Sequence, residues 1–389
     1  MASEEKPYRV YRGGRQKGKV PLQTRPVRER ARLDRDSASY PGPGPVKVKR
    51  GWSRGRKIGI VLGLLLLLVI AWAATSYLSL RSGVKAANDR LPAGSTEVLA
   101  HQNSLLLSTP TNILILGSDH ANQPGHEGER SDSIMLLRSD PSRHRIVYLS
   151  IPRDLRVPVE GVGDTKINAA MQAGGTPLAI KTVASYTGLP VNHVITVDFT
   201  RFKDVIDALG GITVNVPERI VSKFDCPLKA AQCAHWKGWR FARGEQHMSG
   251  RRALIYSRVR KNLLNPGDTD ISRTEHQQDV LQAVLRKMTS ISSLAKMPLD
   301  GSKLVRPLAT DLSTAQFLQL GWVYKRGHAL HCRLGGTPET LPDGESVIVS
   351  EGDDKERVIL AVEGKTAPLP PRPGEERYGA GCVAGSFPR

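Results

Sequence analysis

Between Ile58 and Leu80 the chain runs without a single charge, through VLGLLLLLVIAWAA. A bilayer core about 30 Å thick needs roughly 20 apolar residues in helical form, so this stretch is long enough to cross one. A core helix of a water-soluble domain shows a polar face, and this stretch shows none until its last few residues. Lys47, Lys49, Arg50, Arg54, Arg56 and Lys57 precede it closely, whereas Arg81, Lys85 and Arg90 follow beside Asp89. The positive-inside bias then puts the N-terminus in the cytoplasm and residues 81–389 outside a cell membrane crossed once. The 57 residues before the apolar run are long for a signal peptide, so an uncleaved anchor is the better fit.

Charge follows the same division. Residues 1–57 hold 17 Lys+Arg against 5 Asp+Glu, net +12, which leaves +7 of the total +19 for everything after them. Stretches such as YPGPGPVKVKR offer little to bury, and a disordered tail is expected. A basic tail beside a membrane helix is explained by anionic lipid. No helix-turn-helix pattern accompanies it, so nucleic acid is not expected as a partner.

Cys226, Cys233, Cys332 and Cys382 all fall in the outer portion, where an oxidising environment favours disulfides. Of the three connectivities, the least demanding joins Cys226 to Cys233 and Cys332 to Cys382. A zinc site from Cys226, Cys233 and His235 is the rival, with a spacing unlike common zinc patterns.

Beyond Leu91, short apolar segments rich in β-branched residues predict strands at 112–116, 133–138, 145–151, 193–199 and 212–216, with later ones at 346–350 and 357–361. Helical periodicity marks 177–186, 201–209 and 273–288, and Ser272 to Glu275 fits a capping box. The alternation predicts an α/β domain with a mixed central sheet flanked by helices. The domain boundaries read as 1–57 tail, 58–80 span, 81–370 outer domain and 371–389 C-terminal tail.

Two kinds of residue stand where predicted strands end. Asp119 closes NILILGSD and Asp132 opens the next strand in ERSDSIMLL. Paired carboxylates suit a hard cation that also takes phosphate oxygens, although aspartate is common in turns for its own backbone bonds. Arg130, Arg153 and Lys166 lie in loops, Arg258 and Arg260 in ALIYSRVRKN, and Arg273 and Gln277 one helical turn apart. Arginine forks grip phosphate oxygens, so these cations suit a pyrophosphate; singly, each also reads as solvated surface. For Arg258 and Arg260 to serve one site, the helix must end near Arg258. No GxxxxGK[ST], HExxH or GxSxG is present.

The series NILILGSD, RSDS, SIPRD, KINAA, VDF before DALGGI, GEQHMSGRRALIYSRVR and DISRTEHQQ, in that order, resembles the LytR-CpsA-Psr family of cell-wall enzymes over roughly residues 90–370. The resemblance implies a phosphotransferase that moves a glycan polymer from a polyprenyl-pyrophosphate carrier to peptidoglycan outside the membrane, with Mg²⁺ (or Mn²⁺) as cofactor. It makes Asp119 and Asp132 the metal aspartates. Arg153, Arg258, Arg260 and Arg273 become the pyrophosphate arginines, with Lys166, Gln277 and Arg130 beside them and Asp154 orienting the group. Two positions depart from the family's usual pattern: His276 stands where an arginine is frequent, and Met171 where an aromatic is. Richness in Arg, Ala and Gly points to a high-GC bacterium, an actinobacterium by composition. The competing readings are a pyrophosphate phosphohydrolase at the same site and a non-catalytic wall- or lipid-binding anchor.

Overall fold

The computed structural model describes residues 8–9, 20–21, 53–102, 108–118, 131–265, 270–342, 344–350, 352–375 and 379–385; for 8–9, 20–21, 132 and 270–272 it describes the backbone alone. The chain forms two compact units, Met1–Ile60 and Val61–Arg389. In the first, β1 (Tyr8–Arg9) and β2 (Val20–Pro21) pair antiparallel. Most of the tail expected to be disordered lies outside the described residues. The helix α1 (Arg54–Asn88) contains the charge-free stretch and is long and apolar enough to cross a membrane.

The second unit opens with β3 (Thr111–Ser118), β4 (Ser131–Asp140), β5 (Arg145–Ile151), a hairpin of β6 (Arg156–Val159) and β7 (Gly163–Lys166), and α2 (Ala169–Thr187). It continues through β8 (His193–Asp198), α3 (Phe199–Ala208), β9 (Ile212–Val216), β10 (Ile220–Ser222), α4 (Ala230–Cys233), β11 (Trp239–Phe241) and β12 (Gly244–Met248). Then come α5 (Gly250–Ser257), α6 (Asp270–Met288), α7 (Ile291–Ala295), α8 (Met297–Val305), β13 (Ala309–Thr310) and α9 (Thr314–Arg326). The last elements are β14 (His328–Arg333), β15 (Thr337–Thr340), β16 (Ser346–Val349), α10 (Asp354–Glu363) and β17 (Gly381–Ala384).

A mixed seven-stranded sheet in the order β13-β8-β3-β4-β5-β14-β17 forms the centre. β3 runs parallel to β8, and β5 parallel to β14, while β4 lies antiparallel between β3 and β5. The carboxyl ends of β8, β3, β5 and β14 therefore meet the start of β4 at one edge. Along the central strands, alternate residues point to opposite faces. Leu114, Leu116, Leu136, Val147 and Leu149 pack into one core. Ile113, Met135, Leu137, Ile146 and Tyr148 pack into another across the sheet.

One predicted strand is a helix. Residues 357–361 lie inside α10, which buries Asp354, Val358, Ala361 and Val362 at helical spacing and closes on Gly364 in the left-handed region. Apolar β-branched side chains alone misled there; acidic residues in the first turn and the terminal glycine mark the helix. The predicted capping box also fails, because α6 begins at Asp270 and Ser272 is already inside it. Glu275 instead lies 3.5 Å from the guanidinium of Arg333.

Both disulfides form, Cys226–Cys233 and Cys332–Cys382, which removes the thiolates that a zinc site would need. Cys332 and Cys382 face each other across β14 and β17, both buried. The end of the chain thus supplies an edge strand of the central sheet. At the other end of this unit, Ser76, Leu80, Gly83, Val84 and Ala87 of α1 are buried against it. At Gly83 the two backbones nearly touch: a Cβ there would stand 2.7 Å from the Ser302 carbonyl oxygen.

Candidate active site

At the carboxyl edge of the sheet, β5 ends at Ile151 and Pro152 turns the chain, which presents Arg153 and Asp154. The segment is held by its backbone. Asn168 N–H donates to the Arg153 carbonyl, and Ile348 N–H to that of Asp154. The Asp154 carboxylate sits between two cations, 3.3 Å from Arg153 Nε and 3.5 Å from Lys166 Nζ at the end of β7. Lys166 also reaches Glu345 at 3.2 Å. All three of Arg153, Asp154 and Lys166 remain partly accessible, so the charges are fixed in direction yet open to a ligand.

On the neighbouring strand, Ser133 of β4 donates its hydroxyl to Gln277 Oε1 of α6 at 3.0 Å. From the Asp198 end of β8 to the Arg153 end of β5 there are three strand spacings, across β3 and β4, or about 14 Å. Asp198 caps α3 through the Arg201 N–H, and Phe199 follows it. Arg258 lies over the Phe199 ring, 5.0 Å from its centroid, and is paired to Asp225 at 2.6 Å. α5 does end at Ser257, with Arg258 as its cap, fully buried Val259 next and exposed Arg260 beyond. Arg273 is buried on the first turns of α6. His276 is buried too, its ring 4.4 Å from that of Tyr256, beneath the segment that carries Arg258 and Arg260.

Asp119 and Arg130 lie outside the described residues, as does the side chain of Asp132. The backbone around them is informative. Ser118 pairs with Ser131, Gly117 pairs with Ser133, and the register shifts between them, so residue 132 is the extra one of a bulge. The strand position of Asp132 and the strand end before Asp119 are therefore neighbours. Among the described residues no group of three or more His, Cys, Asp or Glu could hold a metal.

Sequence reasoning missed Arg333. It ends β14 at the same edge, 2% exposed, with Nε and Nη2 donating to the Gly379 carbonyl and Glu275 3.5 Å away. Burial pushes its pKa down, against the opposing effect of Glu275. HALHCR does not read as a strand, so nothing local flagged its last residue.

Below this edge lies an apolar cavity of ≈ 200 Å³ between the sheet and helices α3, α5, α6 and α9. Gly117, Ser133, Ser257, Gln277 and Phe199 line its polar end; Met288, Thr289, Leu304 and Gly321 line the other. Along α6 the distance from Gln277 to Thr289 is about 18 Å at 1.5 Å per residue. An apolar slot leading to a cationic strand edge is the arrangement of a site for an amphiphile with an anionic head.

These features belong to a protein class that has been defined by sequence. The chain is a member of the LytR_cpsA_psr family, whose model matches residues 76–348. Over 272 residues it is 31% identical to the polyisoprenyl-teichoic acid–peptidoglycan teichoic acid transferase TagV of Bacillus subtilis (strain 168), covering 69% of this chain and 67% of that protein. TagU of Bacillus anthracis, a transferase of the same description, is 32% identical over 269 residues, which is 68% of this chain and 82% of the relative. The crystal structure of B. subtilis TagV superposes with a TM-score of 0.55, covering 66% of this chain and 96% of that one.

Proposed function

We propose that this chain is a membrane-anchored phosphotransferase that moves a glycan polymer from a polyprenyl-pyrophosphate carrier to peptidoglycan. The observation that carries the reading is the cavity: its polar end is lined by Ser133 and Gln277, at the strand edge beside which Arg153, Lys166 and the α5-capping Arg258 stand. Named transferases among the relatives support the same chemistry. In this reading the polyprenyl chain lies in the cavity and the pyrophosphate at the edge. Arg153, Lys166, Arg258, Arg260 and Arg273, with Arg130 and Gln277, neutralise its oxygens.

An acceptor hydroxyl attacks the phosphorus next to the glycan in line, and polyprenyl phosphate leaves. Charge gathers on the equatorial oxygens, where fixed arginines lower the barrier. Asp154 holds Arg153 and Lys166 in direction. Asp119 and Asp132 would hold Mg²⁺, which would supply further charge neutralisation of the phosphates. With α1 in the bilayer and the N-terminus in the cytoplasm, the site stands outside the cell beside a substrate that cannot leave the membrane.

The test supplies the full chain in lipid nanodiscs with a polyprenyl-pyrophosphate glycan, Mg²⁺ and a peptidoglycan oligomer. Glycan joined to the oligomer through a phosphodiester, with polyprenyl phosphate released, is the expected result. Arg153→Ala and Arg258→Ala should each lower turnover about ten- to a hundredfold, the effect of one charge-assisted contact. Phosphorylated glycan released into water despite the acceptor would replace the transferase with a phosphohydrolase. Carrier bound without turnover would leave a non-catalytic anchor.

A further inference from the structure

On the helices next to the cavity's far end, the fold leaves large apolar side chains in the open. Ile291 of α7 is 81% exposed and Leu299 of α8 77%. On α9, Leu318 and Trp322 are 49% and 53% exposed and lie four residues apart, on one helical face. Gly321, between them, approaches Thr289 just before α7, and both residues line the far end of the cavity. Ile291 and Leu294 share a face with Ala295 in the short α7.

Contacts with α1 give these helices a height. Trp72 donates its indole N–H to the Ala295 carbonyl at 3.3 Å; Ser302 N–H donates to Ser79 Oγ at 3.1 Å; Arg90 donates to the Arg306 carbonyl. From α7 to the end of α8 the chain therefore climbs alongside α1, with α7 level with Trp72. Trp72 lies nine residues before Arg81, the first charge after the apolar run, which is about 13 Å along a helix axis. If α1 spans the bilayer, α7 sits at or below the headgroup level.

We propose that Ile291, Leu294, Leu299, Leu318 and Trp322 insert into the outer face of the bilayer, so that the cavity's far mouth opens directly into lipid. The inference rests on the reading of α1 as a span. An aqueous setting would leave this rim, next to the membrane helix, exposed at a cost that burial in lipid removes. The rim also carries the chemistry of a membrane interface. Trp322 is stacked by Arg326 at 4.2 Å, and exposed Lys296 and Lys325 stand beside the apolar side chains. Indole rings settle at headgroup level, and long cationic side chains reach to anionic phosphates. The carrier's tail would then pass between bilayer and cavity sideways, without crossing water.

Spin labels on single added cysteines at 291, 299 and 322 test the placement, using the full chain in nanodiscs of phosphatidylethanolamine and phosphatidylglycerol. Labels at 66, within the span, and at 162, on the exposed turn between β6 and β7, serve as references. The expected result is oxygen access and nickel-chelate protection at 291, 299 and 322, as at 66. Nickel access equal to that at 162, with 66 still protected, would overturn the rim and leave the span standing. Nickel access at 66 as well would overturn the span and the rim with it. Protection from both reagents with concentration-dependent spin–spin broadening would assign the face to a second copy of the chain, which also overturns the proposal.

Discussion

The two faces of the central sheet are built from the same strands by alternate residues, yet among the described residues one is packed solid and the other is hollow. Leu114, Leu136 and Leu149 meet α2 and α10 in a core that takes in the disulfide Cys332–Cys382. One residue along, Ile113, Ile115, Met135 and Leu137 look towards α6 and α9, and the ≈ 200 Å³ cavity lies there. Both sides are apolar. The difference is what fills each face: side chains on one, an open cavity on the other.

Changes on the solid face should cost the most stability. Replacing Cys332 and Cys382 with alanine opens a cross-link that spans 50 residues, and chain entropy alone puts the loss at about 4 kcal/mol. The seven-residue Cys226–Cys233 bridge should be worth about half that. Urea unfolding of the two double variants measures both, and equal losses would deny the edge strand its weight. Leu149→Ala, in the middle of the packed face, should follow at about 2–5 kcal/mol. A loss below 1 kcal/mol would mean that this face is looser than its packing indicates.

On the hollow face a buried polar group gives a pH signature. His331 stacks on Tyr148, with Nδ1 2.6 Å from Gln278 Oε1, and burial pushes its pKa down to about 4. Between that value and the ordinary 6.5, the unfolded chain binds the proton that the folded chain refuses. Stability contributed by the neutral ring is therefore complete above pH 6.5 and is lost as the pH falls towards 4, by up to roughly 3 kcal/mol. Unfolding midpoints at pH 7 and pH 4.5 for the native chain and His331→Asn check this; the variant should lose less on acidification.

The smallest stability effect should come from filling the hollow. Leu281→Trp adds ring atoms to a space already empty, so unfolding should shift by less than about 1 kcal/mol while turnover on long-chain carriers falls. Unchanged turnover would separate the cavity from the carrier's tail.

Much of this contrast was invisible beforehand. The apolar runs at 112–116, 133–138 and 145–151 announce β3, β4 and β5, because buried parallel and central strands leave uninterrupted hydrophobic signals. β14 carries His331 and Arg333 inside the sheet, where Gln278, Glu275 and the Gly379 carbonyl satisfy them from 46 or more residues away, so its burial left no local mark. Strand-end logic and the family resemblance did single out Arg153, Asp154 and Lys166, which stand in contact. The cavity could not be read, since Leu281 and Val284 look the same in sequence whether they line a void or a core.

The close approach at Gly83 has a mechanical consequence. A helix whose backbone rests on another backbone works as a bracket, where a flexible linker would be a leash. The domain then keeps one tilt and one height relative to α1. A single methyl group at residue 83 would wedge this joint and tip the strand edge relative to α1 without touching a residue of the candidate site.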